Sequence, residues 1–343
     1  MRGTRGLVAG VVVVAALLAM AGCGSGGGDS KPETPREWIE SASLSEVHSG
    51  QIETFLKVQT HKPGEPRTNA GEISDMHIVG TFMGAGKENP PQLDLAFESS
   101  GPFGGKELTH SSGLSVLKDL AVVFLSPNTY QPDKATFEEL KSKYQEVQKP
   151  GEPGNAMACF EAGEGIDFAG LVSNLENKGR IEDRYGAKPT YITGLLDIPG
   201  AFEAVIQLME DPACAAQLEA VGIPPTAELE AMKGEFEGPV EVVVAVDNRG
   251  ILREIILDGK GLGIHQSWHQ LDKDTNLEAE YRFRLWQPNE IEELPLPSGS
   301  TPFEVLLKKL GTSMAALKAA DGNELVLGFI ETLAQGLSGQ NGV

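Results

Sequence analysis

The most regular pattern in the chain runs from Leu277 to Leu285, where Leu277, Ala279, Tyr281, Phe283 and Leu285 alternate with Glu278, Glu280, Arg282 and Arg284. Strict alternation predicts a strand with one buried and one wet face. Met76, Ile78 and Phe82 repeat the pattern, as do Leu93, Leu95 and Phe97 against Asp94, Ala96 and Glu98. Gln51–Thr60, rich in Ile, Phe, Val and Thr, is a further strand, and Thr129 and Tyr130 begin a short one. Lys106–Leu117 is a weaker strand interrupted by Gly113, and the unbroken apolar run Leu120–Leu125 predicts burial on both faces. In the second half, Arg180–Asp183 and Thr190–Leu195 flank a turn at Gly186, and Val240–Val246 and Ile251–Leu257 flank the hairpin turn Asp247-Asn248-Arg249-Gly250. Ile264–Leu271 adds one more strand.

Helical spacing falls between these strand groups. Thr34, Pro35 and Glu37 form a capping-box start for a helix predicted over Pro35–Ser49 and ended by Gly50. Asp133 caps a helix to Val147 with the stripe Phe137, Leu140 and Tyr144. Phe168, Leu171, Val172 and Leu175 predict a helix over Asp167–Glu176. Pro199–Met209, Ala213–Val221, Thr226–Lys233, Pro302–Leu310 and a last segment from about Gly322 to Leu337 are also helical in pattern. Strands, then helices, then strands again predict an α+β protein with a long antiparallel sheet and segregated helices.

The first residues are of another kind. Arg2 and Arg5 precede an apolar run from Leu7 to Met20, too short for the roughly 20 residues of a membrane span. The run ends in Met20-Ala21-Gly22-Cys23, and a Gly/Ser/Pro-rich tract follows to Pro35. That order predicts a lipoprotein signal peptide over 1–22, a diacylglycerol on the Cys23 thiol, and a flexible tether over 23–35. An ordinary secretory peptide with an incidental Cys23 is the alternative. The lipoprotein reading puts the protein outside the cytoplasm, lipid-anchored at the outer face of the cell membrane.

Charge narrows the partners. The chain carries −21, and two positive charges leave with Arg2 and Arg5, so the processed form stands at −23. A phosphate backbone repels such a chain, which excludes nucleic acid, and an anionic bilayer repels it too. With Cys23 lipidated, Cys159 and Cys214 remain as a candidate disulfide, closing a loop worth about 4 kcal/mol. Two buried thiols or a metal pair are the alternatives, although no histidine stands near either cysteine at ligand spacing.

Catalytic motifs are missing from the sequence. Gly259-Lys260-Gly261-Leu262-Gly263 lacks dinucleotide spacing, and there is no Gly-x-Ser-x-Gly elbow. His265 and His269 fall on a predicted strand, and Asp272 and Asp274 lack the partners of a calcium loop. The reading is of a non-enzyme without metal or cofactor.

Several segments, in order, resemble the mycobacterial LppX/LprA/LprF/LprG lipoproteins and, more broadly, the LolA-type lipoprotein carriers. They are Ile52-Glu53-Thr54-Phe55; Tyr130, Asp133, Phe137 and Leu140; Thr190-Tyr191-Ile192-Thr193-Gly194 with Asp197-Ile198-Pro199; Asp247 with Gly250-Ile251-Leu252-Arg253; and Asn289-Glu290-Ile291. The resemblance implies a curved half-barrel with helices on its concave face, enclosing an apolar cavity for acyl chains, over residues 36–311; the helical extension over 312–343 departs from that family's usual end. It implies carriage of lipids or glycolipids across the envelope, together with an envelope transporter. Candidate lining residues are Phe55, Ile78, Phe82, Leu95, Phe97, Phe168, Leu171, Phe202, Ile206, Tyr281 and Phe283. An envelope structural or partner-binding module with a filled core is the alternative.

Intact-mass analysis of unreduced protein from a bacterial host tests both cysteine readings. The expected species starts at Cys23, carries a diacylglycerol there and holds Cys159 joined to Cys214. A free Cys23 thiol rejects the anchor, and two free thiols at 159 and 214 reject the bridge.

Overall fold

The computed structural model describes residues 32–44, 46–61, 73–84, 92–103, 106–125, 127–147, 166–212, 214–215, 218, 223–233, 236–237, 240–259, 263–264, 276–295, 297 and 301–309. The signal segment, the tether as far as Lys31, Cys23, Cys159, residues 265–275 and the helix expected over 322–337 lie outside the described residues, and the tether's last residues, Thr34 and Pro35, belong to the start of a helix. Among the described residues, twelve strands follow one order, open at both ends: β14-β6-β5-β4-β3-β2-β1-β13-β11-β10-β8-β7. These are β1 (Ser49–His61), β2 (Ile73–Met83), β3 (Gln92–Phe103), β4 (Lys106–Val116), β5 (Ala121–Leu125), β6 (Asn128–Gln131), β7 (Val172–Arg180), β8 (Thr190–Leu196), β10 (Val240–Val246), β11 (Leu252–Gly259), β13 (Asn276–Trp286) and β14 (Thr301–Pro302). A separate pair joins β9 (Phe236–Glu237) to β12 (Gly263–Ile264). The helices are α1 (Pro35–Glu40), α2 (Lys134–Val147), α3 (Ile198–Leu208), α4 (Thr226–Lys233) and α5 (Phe303–Lys309). The α+β class and its unclosed antiparallel sheet are as expected from the sequence. Two compact units divide the chain, one from 1–47, 53–75 and 156–286, the other from 48–52, 76–155 and 287–343.

In the first unit, the valines of β10 set one face. Val242 pairs with Gly194 and Leu257, and Val244 with Ile192 and Ile255. Ile255 and Leu257 in turn pair with Phe283 and Tyr281 of β13. All but Gly194 and the half-buried Phe283 are buried apolar side chains. The helix α1 packs on β7, β8 and β10 and buries Trp38 and Ile39. Its capping box forms as expected: Thr34 Oγ1 accepts from Glu37 N, and the Glu37 carboxylate accepts from Thr34 N.

The opposite face carries charge. Tyr191, Ala245, Glu254 and Arg284 stand in one row across β8, β10, β11 and β13. Tyr191 donates to Glu254 Oε2 at 2.9 Å, Arg284 donates to Glu254 Oε1, and Arg284 also pairs with Glu53 of β1 at 3.5 Å. This side of β13 was expected to be wet, yet Glu280, Arg282 and Arg284 are half-buried. Burial pulls the Arg284 guanidinium down, but the two carboxylates outweigh it and leave it raised.

Between Ala245 and Val246 the β10–β11 register slips, so that Arg253 is the extra residue of a bulge. Its buried guanidinium donates to the Leu285 carbonyl at 2.9 Å, to Asp183 at 3.2 Å and to Asp247 at 3.4 Å. Asp247 also shapes the expected hairpin turn, its Oδ1 accepting from Arg249 N and Ile251 N.

Two expected helices depart from expectation. The helix expected over Asp167–Glu176 is a short 3₁₀ turn, Phe168–Leu171, followed directly by the strand β7. Two bulges in β7, between Ser173 and Glu176 and between Asn177 and Gly179, each insert a residue. The first breaks the period of two, so that Val172 and Leu175, three apart, continue the helix-like spacing of Phe168 and Leu171 on the 3₁₀ turn. The first predicted helix stops at Glu40 instead of Ser49, and Ser49 and Gly50 open β1. Past α1 the chain forms a parallel bridge, Ser43 N donating to Gly250 O and Leu252 N to Ser43 O. Gly250 has φ +78°, and a Cβ there would meet the Ser41 carbonyl at 2.8 Å, so only glycine permits this approach. Of the strand expected over Ile264–Leu271, the described part is β12 alone.

In the second unit, Asn289 holds the strand start. In the left-handed region at φ +65°, it accepts from His48 N through Oδ1 and donates its N–H to the Ser49 carbonyl. Ser49 Oγ accepts from Ile291 N at 3.2 Å. Asp133 caps α2 through Thr136 N at 2.8 Å, as expected.

Burial, then the Glu254 charge, pushes the Tyr191 phenol up to about 12 from its ordinary 10. The folded state therefore holds its proton where the unfolded chain has lost it. The stability this contributes is intact below pH 10 and lost as pH rises toward 12. Thermal melts are expected to fall across that window, and Tyr191→Phe to flatten the fall. An unchanged slope in the variant would assign the alkaline loss to other groups.

Candidate functional site

Strand registers in the second unit place a set of apolar side chains on one face. Leu95 of β3 pairs with Leu114 of β4, Leu114 with Val123 of β5, and Val123 with Tyr130 of β6. On either side run the rows Phe97–Ser112–Leu125 and Leu93–Val116–Ala121. A Cβ on Gly80 of β2 would fall on Leu95 Cδ2 and on the Asp94 carbonyl oxygen. Gly80 therefore faces the same way as Leu95, and period two brings Ile78 and Phe82 onto that face. Along β3 the reverse face is polar, with Asp94, Glu98 and a hydrogen bond from Ser115 Oγ to Asp94 Oδ1.

Among the described residues, the face is covered at one end only. Phe303, Leu306 and Leu307 of α5 pack on Val123 and Tyr130, and Leu114 and Leu125 flank that cluster. Val123 and Tyr130 are each 2% exposed. Toward β2 the burial relaxes: Ile78, Phe82, Leu93, Leu95, Phe97, Leu114 and Val116 are all half-buried. One continuous apolar surface thus passes from a closed end under α5 to a partly open end on β2, β3 and β4. The polar residues set into these rows are Ser112, itself 2% exposed, and Asn128 of β6, which pairs with Leu125. No group of three or more His, Cys, Asp or Glu is placed to hold a metal among the described residues. No described helix is long and apolar enough to cross a membrane.

No family model and no curated protein matches the chain. Among solved structures, the crystal structure of LprF from Mycobacterium bovis is similar at 11% identity and a TM-score of 0.35, over 79% of this chain and 100% of that one. At that distance the likeness carries no weight on what this chain does.

The eleven candidate lining residues separate into distinct places. Ile78, Phe82, Leu95 and Phe97 come together on the face just described. Tyr281 and Phe283 share the apolar face of β13 in the first unit, with Tyr281 buried and Phe283 half-buried. Phe55 lies on β1, also half-buried, beside the buried Leu56. Phe168 and Leu171 sit on the 3₁₀ turn, where Leu171 meets Gly200 at the start of α3. Phe202 is fully buried on α3, and Ile206, one turn on, is half-buried. Cys214 is buried and disulfide-bonded, and Cys159 lies outside the described residues. Sequence reasoning passed over Leu114, Val123, Tyr130 and the α5 trio. The trio's spacing at i, i+3 and i+4 was a readable signal for a buried stripe, but nothing in it named the strands it would cover.

Gly80→Ala is expected to lower stability by about 1–3 kcal/mol in chemical denaturation, because Leu95 and the Asp94 carbonyl already fill the space. Adding Leu95→Ala should relieve only part of the loss, since the backbone oxygen stays. Full rescue would place the conflict in the side chain alone.

Proposed function

We propose that the protein is a lipoprotein, anchored through Cys23 at the outer face of the cell membrane, that binds lipid acyl chains and carries them across the envelope. The acyl chains of a lipid or glycolipid would lie on the partly open end of the apolar face, over Ile78, Phe82, Leu95 and Phe97. The observation that carries this reading is the change in burial along one row, from Val123 and Tyr130 under α5 to the half-buried Leu95. An acyl chain is a narrow apolar rod, and covering this surface with one gains about 25 cal/mol per Å² removed from water. The rows Leu93–Val116, Leu95–Leu114 and Phe97–Ser112 hold no charge, so selection would rest on shape and length. The segment from Cys23 to the start of α1 would act as a tether that lets the folded part meet the membrane, and an envelope transporter would be its partner.

Native mass spectrometry of protein extracted from its own host tests the reading. The expected result is a lipid adduct on the parent chain, lost in Leu95→Asp/Phe97→Asp while the far-ultraviolet spectrum is kept. Parent protein that is always ligand-free would overturn it.

A further inference from the structure

The described residues include three exposed large apolar side chains, and two of them, Ile181 at 50% and Tyr185 at 45%, share one turn between β7 and β8. That turn is held from within. Asp183 Oδ1 accepts from Tyr185 N and Ala187 N, Asp183 N donates to Ala187 O, and Gly186 takes φ +83°. Arg184 lies over the Trp286 ring, 3.6 Å from its centroid, and Tyr185 meets the same ring edge-on. An apolar tip fixed in this way gives up little conformational entropy on binding.

Charge around the tip is sorted by depth. Asp183 and Asp247, the acids of this turn and of the neighbouring β10–β11 turn, are 11% and 8% exposed and turn inward to Arg253, and Asp247 also accepts from the half-exposed Arg249 at 3.2 Å. Arg180, Arg184, Lys188 and Arg249 face solvent, and the exposed acid of the β7–β8 turn, Glu182, is paired with Lys188 at 3.0 Å. A chain of net charge −21 thus presents a cationic rim around an isoleucine and a tyrosine.

We propose that this double turn docks on an anionic bilayer surface, with Ile181 and Tyr185 at the interface and Arg180, Arg184, Lys188 and Arg249 against lipid phosphates. Tyrosine suits that depth, with an apolar ring and a polar end, and arginine matches phosphate with a planar fork. The attraction is local and short-ranged, so it works within a Debye length although the whole chain is acidic. An acidic protein with an apolar patch would match the same rim and centre, but a stable protein interface takes about 20–30 residues a side, and this tip offers two apolar side chains and four cations.

Vesicle flotation tests this on the processed chain from residue 23 onward with Cys23→Ser, so that neither signal peptide nor acyl group contributes. Vesicles of phosphatidylglycerol and phosphatidylcholine are expected to bind it at least about tenfold better than phosphatidylcholine alone, with binding falling as salt rises. Arg180→Glu/Arg184→Glu/Arg249→Glu should abolish the preference. Ile181→Ser/Tyr185→Ser, which leaves every charge in place, should weaken binding on both vesicle types. Lipid recovered in native mass spectra should be the same in all variants, which separates this surface from the acyl-chain site. Equal binding by parent and charge variant, or no binding to any vesicle, would overturn the proposal; in the second case, association with an acidic protein would take its place.

Discussion

The first unit turns on one buried guanidinium. Arg253 is the inserted residue of a β-bulge, and its fork reaches the Leu285 carbonyl and two carboxylates from two different turns. Strands β8, β10, β11 and β13 could align without it, since their valine, isoleucine and leucine partners set the register. The turns at their ends could not be fixed in the same way, because they offer polar backbone and few apolar groups. A charge buried this deeply is tolerated only with its partners, and leaving one member alone costs on the order of 3–5 kcal/mol. The turn that carries Tyr185 and the turn that carries Arg249 are therefore set by one arrangement.

The two units use their sheets differently. In the first, the apolar face is closed off, with Ile192, Leu196, Val242 and Ile255 at 1% exposure or less. Its reverse face holds a row of charge that is satisfied across four strands. In the second, among the described residues, the seven-residue α5 covers the β5–β6 end of the apolar rows. The proposed acyl-chain site rests on that difference in cover among the described residues.

Much of the strand pattern was legible. Alternation located β3 and β13, the Asp247–Gly250 turn located the β10–β11 hairpin, and the capping box located the start of α1. The misreadings have physical causes. In β7 the bulge after Ser173 disturbed the alternation, and an edge strand with Val172 and Leu175 three apart, preceded by a 3₁₀ turn, looked like a helix. After α1, propensity favoured a longer helix, but a bridge to Gly250 and Ile251 offered the backbone better partners. Of the candidate site, four of the eleven residues lie together on the second unit's face, because period two reveals which residues share a strand face but not which strands become neighbours.

The sequence by itself determined the local choices: which segments are strands, which side of each is apolar, where turns fall, and that the chain is strongly acidic. Those follow from side-chain period and turn chemistry, which act over a few residues. The tertiary structure decided what the pattern could not hold. It placed Gly80 beneath Leu95, ran one apolar row from β3 to β6 beneath a short helix, and turned Asp183 and Asp247 inward while leaving Ile181, Tyr185 and four cations outside. Each of these depends on register and cover between segments far apart in the chain. Such pairings are fixed by packing and by the cost of burying charge, and neither is visible in a local window of sequence.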